Sequence, residues 1–262
     1  MGILFSILMS LPGASSPEVL FEEANMACSQ GAYAEAAAMY EQMILDGVHD
    51  PVVFFNLGNA YLYAGRLGPA VANFERALHL APDFKRARVN LDYALASAER
   101  RLARPLPPWW EQTLLFWHDR FSPRFVYAAA VVSWFLLWSV LAVRRWRPFR
   151  YSRLLVLVVA GAAGLFGMSA WAKAHPVPVA VASQASVPVR YAIGDTDVVH
   201  FELYAGDRVA VEERQSGWIL ISSADGKRGW ASGEDMTFVG PPYEPAPAEK
   251  APQAETRMGG AT

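Results

Sequence analysis

The 262 residues carry 23 Lys and Arg against 25 Asp and Glu, a net charge of −2, and no basic stripe lies outside one short loop, which excludes nucleic acid as a partner. Hydrophobic residues make up 53% of the chain and charged ones 18%, which excludes a disordered polymer and is rich for a protein surrounded by water alone. The single cysteine, Cys28, excludes an internal disulfide and a four-cysteine zinc site.

Residues 3–11 (ILFSILMSL), followed by Pro-Gly-Ala-Ser-Ser, have the apolar run and small-residue end of a secretory signal, but no Lys or Arg precedes them. Segment 1–16 is therefore read as signal-like or as an uncleaved anchor. Residues 17–103 follow a helical repeat with a period of 34, in which Ala24, Gly31, Ala36, Tyr40 and Met43 recur as Gly58, Gly65, Ala70, Phe74 and Ala77. Pro82 closes the second copy. This pattern resembles the tetratricopeptide repeat, an all-α stack of helical hairpins in which small residues mark the helix contacts. Gly58 is expected to let helices approach closely, Gly65 to allow the inter-helix turn and Pro82 to stop the second helix. A third copy starts at Asp83, Asn90 and Leu91, runs to about Leu102 and lacks a second half, so it is expected to cap the stack.

The resemblance implies a peptide groove along the first helices, lined here by Phe21, Asn25, Phe55, Asn56, Asn59, Leu62, Tyr63, Arg86 and Tyr93. Asn25, Asn56 and Arg86 match three positions of the carboxylate clamp of some family members. Phe21 and Asn90 stand where that clamp has lysine and arginine, which favours a general partner groove over a true clamp.

Residues 104–124 begin with Arg-Pro-Leu-Pro-Pro, a stiff connector, and continue as an aromatic, modestly amphipathic stretch suited to a membrane interface. Two uncharged apolar runs follow, 125–143 and 154–172, each close to the roughly 20 residues that cross a bilayer core. The loop 144–153 between them holds Arg144, Arg145, Arg147 and Arg150, and Arg153 closes it with no acidic residue. The positive-inside bias assigns this loop to the cytoplasm and both flanking regions to the outer side. Trp109, Trp110, Trp117 and Trp171 are expected at headgroup depth. In the second run, Ala160/Gly164 and Ala163/Gly167 are spaced for close helix contact, most simply with the first run.

From 177 to 240 the pattern turns to short β-branched stretches: 177–183, 187–190, 208–215, 218–222, 228–231 and 237–239. Asp225-Gly226 is a tight hairpin signal. Val189-Arg190, Ala205-Gly206-Asp207, Gly217-Trp218 and Gly229-Trp230 resemble a bacterial SH3-type (SH3b) barrel. Such barrels bind cell-wall peptides or protein segments in an aromatic groove, for which Tyr191, Tyr204, Trp218 and Trp230 are the candidates. The competing role for both tryptophans is to close a small core. Residues 241–262, rich in Pro, Ala and Glu, are expected to be disordered.

No catalytic, metal or cofactor motif stands out. His49, His79, His118, His175 and His200 are scattered, and no Gly-rich phosphate loop follows a strand. Cys28 falls inside a repeat helix, and Asp195 and Asp197 read as turn residues. An enzyme is not expected.

The order of parts resembles the BatE family of the Bacteroides aerotolerance (Bat) system: signal-like segment, tetratricopeptide repeats, two spans joined by an Arg loop, then an SH3-type barrel. The resemblance covers about residues 17–240. It implies a multi-domain, non-enzymatic scaffold in the bacterial inner membrane, with both folded parts periplasmic and a link to aerotolerance or stress resistance. The implied partners are von Willebrand A-domain membrane proteins and a cytoplasmic MoxR-type ATPase. The alternative is an envelope sensor or tether that binds peptidoglycan through the barrel.

Overall fold

Five short helices build the N-terminal half: α1 (Pro17–Ser29), α2 (Tyr33–Leu45), α3 (Pro51–Tyr63), α4 (Leu67–Leu80) and α5 (Lys85–Ser97). The computed structural model describes residues 16–100, 102, 105, 113–117, 120–146, 151–175, 178–194, 198–240 and 242–248. The signal-like segment before Ser16, Trp109, Trp110, Arg147, Arg150, Asp195, Asp197 and the stretch 249–262 lie outside the described residues.

Helices α1 and α3 start alike, with Ser16 and Asp50 as N-caps before a proline at the first helical position. They end alike too. Gly31 and Gly65 both sit at φ +79°, where a side chain would be strained. Gly31 N donates to Cys28 O and Ala32 N to Ala27 O; 34 residues on, Gly65 N donates to Leu62 O and Arg66 N to Tyr61 O. The period of the sequence is thus a period of backbone geometry. At Gly58 a Cβ would lie 2.6 Å from the Phe74 ring, so glycine is what lets α3 and α4 close on each other. Helix α5 stops at Ser97, short of Leu102, because Ala98 turns to extended backbone. Leu102 leaves the helical stack and packs on the core of the sheet.

Helices α6 (Pro123–Trp146) and α7 (Ser152–Ala174) have 24 and 23 residues, long and apolar enough to cross a membrane. They pack on one another, while Phe135, Trp138, Leu157 and Val158 point outward from the pair. Contact with α6 does not run through the glycines: a Cβ at Gly161, Gly164 or Gly167 would meet nothing within 4 Å. That overturns the expectation that Gly164 and Gly167 seat the first span. Trp117 rests edge-on against Phe166 of α7 at 5.3 Å and against Phe121 at 6.1 Å, tying the aromatic connector to the apolar pair.

The C-terminal part is one antiparallel sheet of seven strands: β1 (Val179–Ala182), β2 (Ser186–Arg190), β3 (Val199–Tyr204), β4 (Arg208–Gln215), β5 (Trp218–Ser222), β6 (Arg228–Ser232) and β7 (Met236–Phe238). Their order is β3-β2-β6-β5-β4-β1-β7. The end strands β3 and β7 do not pair, so the sheet is open. Strand β3 is absent from the sequence expectation, although Val199-His200-Phe201-Glu202-Leu203-Tyr204 alternates. Inside lie Val187, Val189, Leu203, Val209, Ile219, Ile221 and Ala231.

Sheet and helical stack share a boundary at α4. Val181 of β1 joins the helical core while its neighbours Ala180 and Ala182 join the sheet core. At Gly68 a Cβ would lie 2.1 Å from the Ala182 carbonyl oxygen, so β1 can approach only because no side chain is there. Arg208 of β4 pairs with Glu75 of α4 at 2.9 Å, both sheltered, and Arg100 pairs with Asp207 at 3.3 Å. Residues 242–248 then return over the helices. Tyr243 and Ala246 pack on the helical core, which corrects the expected disorder for this part of the tail.

Candidate peptide-binding faces

On the first-helix face, the asparagines act between hairpins. Asn56 Nδ2 donates to Asn25 Oδ1 at 3.2 Å, and 34 residues on, Asn90 Nδ2 donates to Asn59 Oδ1 at 2.6 Å. Asn25 Oδ1 also accepts from the Tyr40 hydroxyl at 2.7 Å, so two donors occupy it. Asn25 and Asn56 are therefore bound to each other and do not stand as a pair of free donors for a peptide carboxylate. Arg86 lies with its guanidinium 5.0 Å over the Phe55 ring. Phe55 is only 3% exposed and packs among Phe74 and Phe84, which makes it a core residue with one edge toward the groove. Tyr63 and Tyr93 are 68% and 64% exposed. Asn59, Tyr63, Lys85, Arg86 and Asn90 border an open hollow of about 340 Å³. Phe21 instead meets Tyr40 edge-on at 6.0 Å.

On the sheet, strand alternation decides where the aromatics point. Ile219, Ile221 and Ala231 face inward, so Trp218, Leu220 and Trp230 face outward and are partly buried. Leu220 pairs with Trp230 and Trp230 with Arg190, setting three side chains of one face in a row across β5, β6 and β2. The Arg190 guanidinium covers the Trp218 ring at 5.2 Å. Neither tryptophan closes the core. Tyr191, 61% exposed, stacks on His200 at 4.0 Å. Tyr204 is separate: it pairs with Ser186 at the other end of β2, with Arg100 6.0 Å over its ring. Two of the four groove candidates, Trp218 and Trp230, thus meet at Arg190, a residue the aromatic pattern alone did not mark, while Tyr191 packs on His200.

Cys28 is half-buried, and burial pushes its thiol up while a hydrogen bond with Tyr40 opposes the shift. A thiol so placed is a poor nucleophile. Among the described residues no three His, Cys, Asp or Glu side chains are grouped to hold a metal ion.

Residues 51–84 match the tetratricopeptide repeat family model. That stretch is the α3–α4 hairpin with its flanking turns, the better of the two copies read from the sequence. Nothing among curated proteins matches the chain. A repeat of this class is a protein-binding element, and here it stands beside two apolar helices and an antiparallel sheet.

Proposed function

We propose that this protein is a non-enzymatic, membrane-anchored scaffold that holds partner proteins in the bacterial envelope. In this reading α6 and α7 cross the inner membrane, the Arg-rich turn between them is cytoplasmic, and stack and sheet lie together on the periplasmic side. The observation that carries it is the first-helix face. Its asparagines are used to join hairpins, yet Tyr63 and Arg86 stay exposed at the rim of a hollow, and Tyr93 is exposed on the last first helix, α5. Exposed aromatics and arginine are the side chains that carry most binding energy at protein interfaces. The resemblance to BatE proteins supplies the finer reading: the sheet is an SH3-like domain, the partners are von Willebrand A-domain membrane proteins served by a MoxR-type ATPase, and the setting is oxidative or envelope stress. A photo-crosslinking residue at Tyr93 in the full chain, in its native membrane, is expected to capture a membrane protein. If Tyr93 gives no adduct while an otherwise identical probe at Leu45, exposed on the second helix α2, does, the first-helix face is not the scaffold surface.

A second reading rests on the outward row of Arg190, Trp218 and Trp230. Such a row suits stacking against the sugars and peptides of the cell wall, making the protein a peptidoglycan-binding sensor or tether. Isolated sacculi separate the two: retention lost on Trp230→Ala supports the tether, and a chain that stays in the supernatant rejects it.

A further inference from the structure

Residues 242–248 cross the stack on the face opposite the first-helix groove, along a furrow between the second helices α2 and α4 floored by Phe54 and Tyr61 of α3. Tyr243 is the anchor. Its ring packs against Phe54 at 6.2 Å, and the Arg76 guanidinium covers it at 4.6 Å. Its hydroxyl donates to Glu41 Oε1 at 3.1 Å, and the Ala246 N–H donates to the same oxygen at 3.1 Å. The Tyr61 hydroxyl is a third donor to that oxygen. Farther along, Arg66 donates to the Pro247 carbonyl, and Gln184 Nε2 donates to the Ala248 carbonyl at 3.1 Å.

The chemistry of the segment fits the furrow residue by residue. Pro245 and Pro247 have no N–H to satisfy, so Ala246 carries the one backbone donor of that tripeptide, and Glu41 accepts it. Proline also restricts the free segment, which lowers the cost of ordering it on a surface. Arg76 is sheltered, donates to Asn73 Oδ1 at 2.8 Å and to the Phe238 carbonyl, and is held in place over the tyrosine. Burial raises the Tyr243 hydroxyl, and the neighbouring Glu41 carboxylate adds to the shift, so it stays a donor at neutral pH.

We propose that this α2–α4 furrow is a second peptide-binding site, specific for an extended Tyr-x-Pro-x-Pro segment, and that residues 243–247 of the same chain are its resident ligand. The site is independent of the first-helix face and stands whether or not that face binds partners. Anchored in cis, the tail clips the end of the sheet to the helices. A partner segment of the same chemistry enters only by displacing it.

The test uses the full-length chain in detergent with a fluorescent peptide of residues 241–249. A chain carrying Tyr243→Ala, whose own tail lacks the anchor, is expected to bind the peptide saturably and at least about tenfold more tightly than the wild-type chain, whose tethered tail competes at high effective concentration. The peptide with its own Tyr243→Ala change is expected not to bind, and adding Glu41→Ala to the chain abolishes capture. Equal binding by the two chains, or no saturable binding by the Tyr243→Ala chain below about 1 mM, overturns the proposal. Hydrogen exchange at Ala246 reports on the wild-type chain without any variant. A protected amide supports the resident ligand, and exchange at the rate of a free peptide overturns it. Protection that vanishes on dilution together with a dimer shows a tail exchanged between two copies and overturns the assignment in cis.

Discussion

Asn25 and Tyr40 are joined by a 2.7 Å hydrogen bond, the Tyr40 hydroxyl donating to Asn25 Oδ1, and the same oxygen takes the Asn56 amide of the next hairpin. One acceptor therefore links both helices of the first repeat to the second repeat. The equivalent of Tyr40 one period later is Phe74, which has no hydroxyl, and the equivalent asparagine, Asn59, accepts from Asn90 alone among the described residues.

Asn25→Ala is accordingly expected to destabilise the stack more than Asn59→Ala. It leaves the hydroxyl of a residue only 1% exposed with no acceptor but the weak Cys28 thiol, a cost of about 1–3 kcal/mol, against about 1 kcal/mol for a single lost side-chain bond. Adding Tyr40→Phe to Asn25→Ala should recover part of the loss, because the unpaired group is gone. Thermal unfolding in detergent of the two single variants and the double variant checks this. A double variant no better than Asn25→Ala would show that the hydroxyl is satisfied some other way.

The glycines divide sharply. Gly68→Ala sets a methyl against the backbone of Ala182 and Ser183, where no side chain can rotate away, and should cost about 1–3 kcal/mol or more by forcing β1 off α4. Gly206 N donates to Ala182 O at 3.0 Å, so faster hydrogen exchange at Gly206 reports the separation. Gly164→Ala, with open space around its Cβ position, is expected to leave that amide unchanged. Equal exchange in both variants would mean that sheet and stack are not held by this contact.

The repeats are legible in the sequence because their glycines, prolines and asparagines recur at one period. The sheet boundary is not. In α4, Asn73, Glu75 and Arg76 read as the wet face of an amphipathic helix, yet all three are buried, since the sheet and the returning tail cover that face and supply their partners. Composition likewise hid the tail. A Pro-Ala-Glu segment has little apolar surface of its own, and what orders residues 242–248 is a tyrosine and a few backbone groups meeting a furrow 200 residues earlier in the chain. Strand β3 was open to the same reading as its neighbours, since His200 and Glu202 alternate with Val199, Phe201 and Leu203 in the pattern of a half-buried strand. Of the sheet groove, the tryptophans were legible as candidates, but their outward direction follows from the register with Ile219 and Ile221, which only the pairing reveals.

Asp207 gives the sheet boundary a pH signature. Its side chain is fully buried; burial raises it above the ordinary 3.8, while the Tyr204 amide and Arg100 pull the other way. An acid raised by folding holds its proton more tightly in the folded chain than in the unfolded one. Its contribution to stability is therefore complete below about pH 3.8 and is lost as pH rises through the raised value. Asp207→Asn removes this dependence. The stability difference between wild type and variant should thus drift against the wild type as pH climbs from 3.8, then level off. Unfolding followed between pH 3 and pH 7 tests it. A difference that moves in favour of the wild type with rising pH would mean that the Arg100 pair outweighs burial.

Topology is the most direct test of the envelope reading. Arg144 and Arg145 end α6, Arg153 lies in the first turn of α7, and no acidic residue offsets them in the loop. Each arginine kept on the cytoplasmic side strengthens the orientation, and the five arginines at 144–153 outnumber Arg124 and Lys173 at the far ends of α6 and α7. A reporter active only outside the cytoplasm is expected to be active when fused after Thr262 or inserted near Pro105. Replacing Arg144, Arg145, Arg147, Arg150 and Arg153 with glutamine should move part of the population to the inverted orientation, since Arg124 and Lys173 then carry the remaining bias. Silence at both positions in the unaltered chain would turn the protein over. Stack and sheet would then be cytoplasmic, peptidoglycan would be out of reach, and a first-helix partner would have to be sought inside the cell.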